Sequence, residues 1–344
     1  MKIFFAAEQL LHDPKHEFAA GGFRLAMEVP ERATSVLAAI EATAVGRVAA
    51  PPDYGLEPVA RVHDPNLLAF LSSAHAQWSQ AFPQAYPYPE ISIARRMHPL
   101  EPSSLRGKLA YYCFDTATPV LAGSWSSALR SAPSALAGIE ALAAGVSVVF
   151  SLRRPPGHHA GRDYYGGYCF LNSAAIAAQA WIDRTGSKCA ILDVDYHHGN
   201  GTQDIFYERD DVFFASLHAD PALAYPFFSG YAEESGRGHG LGANLNLPLP
   251  LGTRWETFSA ALACALETVQ RCAPGVLIVS LGVDTYKDDP ISGFSLETTD
   301  SFRMARTIRG AGLPTLVLLE GGYNLGKIGE NVVAFLQGLE PHDE

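Results

Sequence analysis

The sequence predicts an α/β fold in which helices cover both faces of a mainly parallel central sheet. Short apolar runs rich in β-branched residues, Leu and Phe end in polar or glycine-rich turns, and helical patterns follow them. The chain has 344 residues, 48% hydrophobic and 18% charged, enough apolar material for strands buried on both sides. No internal repeat, low-complexity tract or linker divides it, so residues 1–344 are expected to form one domain.

The start of the chain is the first strand candidate, and Val146 to Leu152, Cys189 to Val194, Val212 to Leu217, Val276 to Leu281 and Thr315 to Leu319 are the others. Between them, Asn172 to Arg184 reads as an alanine-rich helix closed by Gly186. Trp255 to Arg271 is a helix with Phe258, Leu262, Leu266 and Val269 on one face. One stretch, about 75–119, has weak periodicity and many prolines, and carries Trp78, Phe82, Tyr86, Tyr88, Tyr111 and Tyr112. It reads mostly as a long loop insertion, of the kind that lines a binding site or contacts another subunit, because ordering it costs entropy that some contact must offset.

Charge and cysteine usage narrow the partners. A formal charge of -11 repels nucleic acid and anionic lipid and favours cationic ligands. Five scattered cysteines suggest neither a disulfide framework nor a thiolate cage, and a reducing cytoplasm fits them. The apolar run at the N-terminus is too short for a signal peptide, and no segment is long enough to span a membrane, so a soluble cytoplasmic protein is expected.

Of the 12 histidines, His158, His159, His197, His198 and His218 lie between Ser151 and Asp220. His158 and His159 follow directly on a strand, in the loop above the carboxyl edge of the sheet, where ligands of open α/β sheets bind. The run Ile191-Leu-Asp-Val-Asp-Tyr-His-His-Gly-Asn-Gly201 leaves a buried strand, and Asp193, Asp195 and His197 are placed on one face by the two-residue alternation. Two carboxylates at the end of an apolar strand call for compensation, and a bound cation supplies it. Two further strand ends deliver Asp284 and the run Glu320-Gly-Gly-Tyr323. Asp195, His197 and Asp284 together offer two oxygens and one nitrogen to a divalent ion and leave positions open for water and substrate. Zn2+, Fe2+ and Mn2+ all suit such a set.

These motifs resemble the zinc-dependent deacetylase family of the arginase/deacetylase fold, a three-layer sandwich around a mainly parallel sheet. The likeness runs through Arg154-Pro-Pro-Gly-His-His-Ala-Gly161, Gly166-Gly-Tyr-Cys-Phe-Leu-Asn172, Asp193-Val-Asp-Tyr-His-His-Gly-Asn-Gly201, Ser216-Leu-His218, Ser280-Leu-Gly-Val-Asp284 and Glu320-Gly-Gly-Tyr323. Asp204-Ile-Phe-Tyr-Glu-Arg209, Gly230-Tyr-Ala-Glu-Glu234 and Tyr111-Tyr-Cys113 look most like bacterial acetylpolyamine amidohydrolases.

The resemblance implies one zinc per subunit on Asp195, His197 and Asp284, with His159 as general base and then acid, His158 chiefly electrostatic, and Tyr323 donating to the oxyanion. It implies tunnel walls at Tyr168 and Tyr225 and an amide-orienting carbonyl at Gly167. It also implies a structural potassium on Asp193, Asp195, His197, Ser216 and the Leu217 carbonyl, and a second on backbone carbonyls around Phe206, Arg209 and Val212. Asn200 stands where many members carry an Asp against the second tandem histidine, and a neutral partner leaves His159 easier to deprotonate. The expected reaction is removal of acetyl groups from small cationic acetylated amines, acetylpolyamines or diamines first, by a homodimer. Acidic residues on the early loop are expected to meet the substrate's ammonium, with Glu101 and Asp115 as candidates beside Arg106 and Ala117.

Deacetylation of acetyl-lysine in peptides or proteins is the alternative. An arginase-like ureohydrolase needs further aspartates at two positions that are here Gly199 and Tyr286. A non-catalytic acyl-amine sensor has no use for Tyr323 beside tandem histidines and an open metal.

Overall fold

The structure is a computed structural model and describes residues 1–92 and 97–340. Four residues of the early insertion, 93–96, and the last four of the chain lie outside the described residues. The strands are β1 (Lys2–Phe4), β2 (His16–Ala19), β3 (Gly22–Leu25), β4 (Arg47–Ala49), β5 (Val148–Ser151), β6 (Cys189–Asp193), β7 (Val212–Ala219), β8 (Asn244–Leu249), β9 (Leu277–Leu281) and β10 (Thr315–Leu319). The helices are α1 (Glu31–Thr43), α2 (Glu57–Ala60), α3 (Pro65–Ala81), α4 (Leu105–Tyr112), α5 (Ser124–Ala143), α6 (Ser173–Thr185), α7 (Asn200–Phe206), α8 (Trp255–Arg271), α9 (Thr298–Arg309) and α10 (Ile328–Leu339).

Among the described residues, eight strands form one sheet in the order β4-β1-β5-β10-β9-β6-β7-β8, and every neighbouring pair is parallel. Residues of the central strands alternate between two cores, as a sheet buried on both faces requires. Leu277, Val279 and Leu281 of β9 and Val317 and Leu319 of β10 pack with α1, α8, α9 and α10. Ile278, Leu316 and Leu318 pack with α3, α5 and α6 on the other face. The three-layer α/β sandwich expected from the sequence is the observed architecture. Because the strands are parallel, β5, β10, β9 and β6 are neighbours whose carboxyl ends all open on one edge.

Local chemistry fixes the elements that flank this edge. Asn172 caps α6, its side-chain oxygen accepting from Ala175 N–H at 2.9 Å, and Gly186 closes the helix at φ 67°. α8 occupies the residues its apolar stripe assigns.

Three features depart from expectation. β4 and β8 have no counterpart among the strand candidates; both are edge strands, β4 only three residues long and β8 alternating Asn with Leu and holding Pro248, which an edge tolerates. The β2–β3 hairpin likewise has no counterpart among them. The insertion at 75–119 is less irregular than expected. Its first residues complete α3, where Ala74 and Trp78 continue the buried face of Leu67 and Leu71, and α4 lies near its end, capped by Ser104. Between them the chain packs on the hairpin, Tyr88 donating to the His16 carbonyl at 2.8 Å and lying 5.7 Å from the Phe23 ring.

Candidate active site and metal centre

Four neighbouring strand ends build the site. The loop after β5 carries His158 and His159, the chain leaving β6 carries Asp195 and His197, β9 leads to Asp284, and β10 leads to Tyr323. Asp195, His197 and Asp284 converge, one donor atom from each lying within 4.8 Å of the others. His197 Nδ1 stands 3.0 Å from Asp284 Oδ2 and 3.3 Å from Asp195 Oδ1. Ligands about 2.0–2.2 Å from a tetrahedral ion are roughly 3.3–3.6 Å apart, so these donors are spaced for one divalent cation.

The electrostatics agree with that fit. Both carboxylates are fully buried. Burial, and then the charge of Asp195, raises Asp284 to about 7. Burial opposes charge on His197, yet the two carboxylates overcome it and lift the imidazole to about 9. A divalent cation neutralises this field, whereas an unpaired buried carboxylate is costly. Backbone donors fix the remaining oxygens: Gly321 N–H donates to Asp195 Oδ2 at 2.7 Å and Tyr196 N–H to Asp284 Oδ1 at 3.1 Å. Gly321 is necessarily glycine, since a Cβ there would lie 2.4 Å from Asp284 Oδ2 and 2.5 Å from Asp195 Oδ2. Positions 199 and 286, glycine and tyrosine, add no carboxylate for a second ion.

β6 ends at Asp193, and His158 lies between Asp193 and Asp195, its Nε2 3.9 Å from Asp195 Oδ1. The Asp193 carboxylate turns to His158, Oδ2 lying 3.0 Å from Nδ1, while Oδ1 accepts from Asp195 N–H at 3.1 Å. His159 Nδ1 faces Asn200 Oδ1 at 2.7 Å. The tandem histidines therefore differ. On His158 burial favours the neutral form, but Asp193 and Asp195 prevail and raise it to about 10. His159 is held well below its ordinary value by burial and then by the charges of His158 and His197, so its Nε2 is free to accept a proton.

Tyr323, His159 and His197 line one cavity of about 340 Å³ with Gly167, expected to orient the amide, and with Tyr168 and Tyr225, expected as tunnel walls. The Tyr225 ring lies 5.1 Å from His159 and the Tyr168 ring 5.6 Å from Tyr323. Burial keeps the Tyr323 phenol well above its usual value, so it is a hydrogen-bond donor.

Ser216 and Leu217 lie on β7, where Asp193 is in register with Ser216; the Ser216 hydroxyl meets His218 Nδ1 at 2.8 Å. Phe206, Arg209 and Val212 frame the turn from α7 into β7, with Arg209 N–H donating to the Phe206 carbonyl at 2.9 Å.

Several supporting residues carry no motif. Arg32 of α1 reads as a surface arginine but is buried, with Nε donating to the Gly322 carbonyl at 2.6 Å and the guanidinium 4.6 Å from the Tyr323 ring centroid. Asp289 accepts from Tyr323 N–H at 2.7 Å. Glu320 pairs with Arg153 and accepts from Gly157 N–H at 2.8 Å and His158 N–H at 3.2 Å, which fixes the histidine loop. His158, Cys169 and Glu320 also cluster, but Glu320 is occupied in this way and burial holds the Cys169 thiol protonated, so they suit no ion.

Asp115, a candidate for meeting the substrate's ammonium, lines the same cavity and accepts from Ala117 N–H, the Thr118 hydroxyl, Gly167 N–H and the Tyr225 hydroxyl. Glu101 pairs with Lys108 at 2.8 Å and is not among the cavity residues. Of the two candidate carboxylates, Asp115 is the one on the cavity wall.

The histone deacetylase domain matches residues 26–339. The chain belongs to the histone deacetylase family. Within this family it is 49% identical to acetylpolyamine amidohydrolase 2 of Pseudomonas aeruginosa over 340 residues, 99% of each chain. It is 46% identical to the acetylpolyamine amidohydrolase of Mycoplana ramosa, covering 98% of this chain and 99% of that one. The crystal structure of the acetylpolyamine aminohydrolase from Burkholderia pseudomallei superposes with a TM-score of 0.93 at 40% identity, covering 98% of both chains.

Proposed function

We propose that this histone deacetylase family member is a zinc-dependent amidohydrolase that removes acetyl groups from small N-acetylated amines, acetylpolyamines and acetylated diamines first, giving acetate and the free amine. The observation that carries this reading is the meeting of Asp195, His197 and Asp284 with His159 and Tyr323 on one cavity. The names of the similar proteins support the polyamine substrate.

Asp195, His197 and Asp284 would hold the zinc, whose chemistry is to polarise the amide carbonyl and acidify water. His159 takes the proton of the attacking water at Nε2, with Nδ1 anchored on Asn200, and returns it to the departing amine. His158 supplies positive charge beside the developing anion. Tyr323 donates its phenolic proton to the oxyanion, held in place by Asp289 and Arg32. Tyr168 and Tyr225 hold the alkyl chain extended and keep water out, and the Gly167 carbonyl orients the amide N–H.

Asp193, Asp195, His197, Ser216 and Leu217 are proposed to hold a structural potassium ion. The carbonyls of Phe206, Arg209 and Val212 are proposed for a second. A homodimer is proposed from exposed Phe23, Leu25 and Leu100, apolar side chains on the hairpin and the insertion. A cytoplasmic location is proposed from five free cysteines. No helix among the described residues is long and apolar enough to cross a membrane.

The test is acetate release by the zinc-loaded protein from a panel of N-acetylputrescine, N-acetylcadaverine, acetylspermidines and acetyl-lysine peptides. The small amines are expected to be hydrolysed with higher kcat/KM than the peptides. The reverse ranking would make the protein a peptide deacetylase, and binding without turnover would make it a sensor.

A further inference from the structure

Two walls of the cavity are tied to one carboxylate. Asp115 Oδ2 accepts from Gly167 N–H at 2.5 Å and from the Tyr225 hydroxyl at 3.0 Å. Oδ1 accepts from Ala117 N–H and the Thr118 hydroxyl, both at 3.0 Å, and Thr118 Oγ1 in turn accepts from Tyr168 N–H at 2.9 Å. Burial, and then the charge of Asp115, keeps the Tyr225 phenol well above its usual value, so it is the donor. The wall at 167–168 needs such a tie. Gly167 and Tyr168 both hold left-handed backbone, φ 58° and 65°, which a residue with a side chain adopts only where its surroundings compel it. Charge-assisted bonding to Asp115, directly at Gly167 and through Thr118 at Tyr168, supplies that compulsion. The same two walls enclose the general base. A Cβ at Gly167 would lie 2.2 Å from His159 Cδ2, and the Tyr225 ring stands 5.1 Å from the imidazole at 88°.

We propose that Asp115 is a positioning residue for the hydrolysis. By holding Gly167 and Tyr225 on one oxygen, and Tyr168 through Thr118 on the other, it sets the width of the tunnel and aims the Gly167 carbonyl at the substrate amide. This rests on the deacetylase reading and deepens it. The groups that Asp115 holds act on the amide and on the alkyl chain beside it, so its contribution is the same whatever charge the substrate carries at its far end. It also keeps the space around His159 fixed while the proton is transferred.

The test measures kcat/KM per zinc-bearing site for two amides of equal length, N-acetylputrescine and N-pentylacetamide, in the wild type, Asp115→Asn, Tyr225→Phe and the double variant. Whichever way the new amide turns, its NH2 meets a backbone N–H, that of Ala117 or of Gly167, so Asp115→Asn breaks one of the ties. It is expected to lower kcat/KM about tenfold or more, by like factors for both amides, as lost alignment predicts. In the Tyr225→Phe background the same change is expected to cost several-fold less, because part of what Asp115 holds is already gone. A loss confined to N-acetylputrescine would show direct contact with the ammonium instead and overturns the proposal, as do factors that simply multiply in the double variant. A merely structural role lowers the yield of zinc-bearing sites and leaves kcat/KM per site unchanged, which overturns it too. Should Asp115→Asn not fold, Thr118→Val carries the test: it removes the acceptor of Tyr168 N–H and must lower kcat/KM per site for both amides, and an unchanged value is equally decisive. Failure of the deacetylase reading has a different signature, absence of acetate from both amides with the wild-type enzyme.

Discussion

His159 meets two requirements of a base at neutral pH: burial and the neighbouring positive charges keep it unprotonated, and Asn200 holds Nδ1 so that Nε2 faces the cavity. A His159→Ala variant is expected to keep its zinc and lose about a hundredfold or more in kcat, the usual scale of positioned proton transfer. Single-turnover rates beside metal content check this, and near-normal turnover contradicts the role. Both tandem histidines, Tyr323 and Asn200 were legible in the sequence because their motifs follow apolar strand candidates. Arg32 was not, since a lone arginine within a helical pattern resembles a solvated side chain until the carbonyls of Glu320 and Gly322 are seen to claim it. Asp115 was visible as a residue but not as a role. Only the fold brings Gly167 and Tyr225 together on its Oδ2.

Elements carry the site through their ends. The residue after β10 is Glu320, and the next, Gly321, lies against both ligand carboxylates. Gly321→Ala is expected to lower zinc affinity by about tenfold to a hundredfold, the range seen when groups supporting a metal ligand are disturbed, while circular dichroism stays unchanged. Competition with a zinc chelator measures it, and wild-type affinity would show that the carboxylates have room.

His63 ties the start of α3 to the histidine loop and α6. Its Nδ1–H donates to the Gly161 carbonyl at 2.9 Å, and Nε2 accepts from Asn172 N–H at 2.9 Å. Burial pushes it down from 6.5 to about 4. The unfolded chain therefore takes up this proton first as the pH falls, so the stability held by His63 is full above about pH 6.5 and is lost as pH drops toward 4. The loss approaches about 3 kcal/mol at 1.4 kcal/mol per pH unit. His63→Gln is expected to be less stable than the wild type at pH 7.5, with the gap narrowing toward pH 4. Denaturant midpoints across that range decide it, and a constant gap contradicts it. The central strands and α8 were readable because both cores demand continuous or striped apolar sequence. β4 and β8 escaped because an edge strand needs only partial burial, and the end of α3 escaped because prolines downstream obscured the Ala74–Trp78 face.

The whole molecule explains why so sparse a set of motifs suffices. A parallel sheet aims every strand at the same edge, and the order β5-β10-β9-β6 sets four separated segments side by side there. The two apolar cores on either face fix those strands, so the ligands inherit their positions from burial far from the metal. Three-layer architecture and convergence were both accessible from sequence, since each strand end carried an unexplained carboxylate, imidazole or glycine pair. The share of the cavity wall that the β2–β3 hairpin supplies was not, because that hairpin is short, half exposed and without a motif.

The claim on which the rest depends is that Asp195, His197 and Asp284 jointly grip a single divalent ion. Elemental analysis of the purified wild type, Asp195→Ala and Asp284→Ala tests it most directly. About one zinc per chain is expected in the wild type and almost none in either variant, with acetate release lost in parallel. Zinc retained at one per chain in both variants would contradict the account.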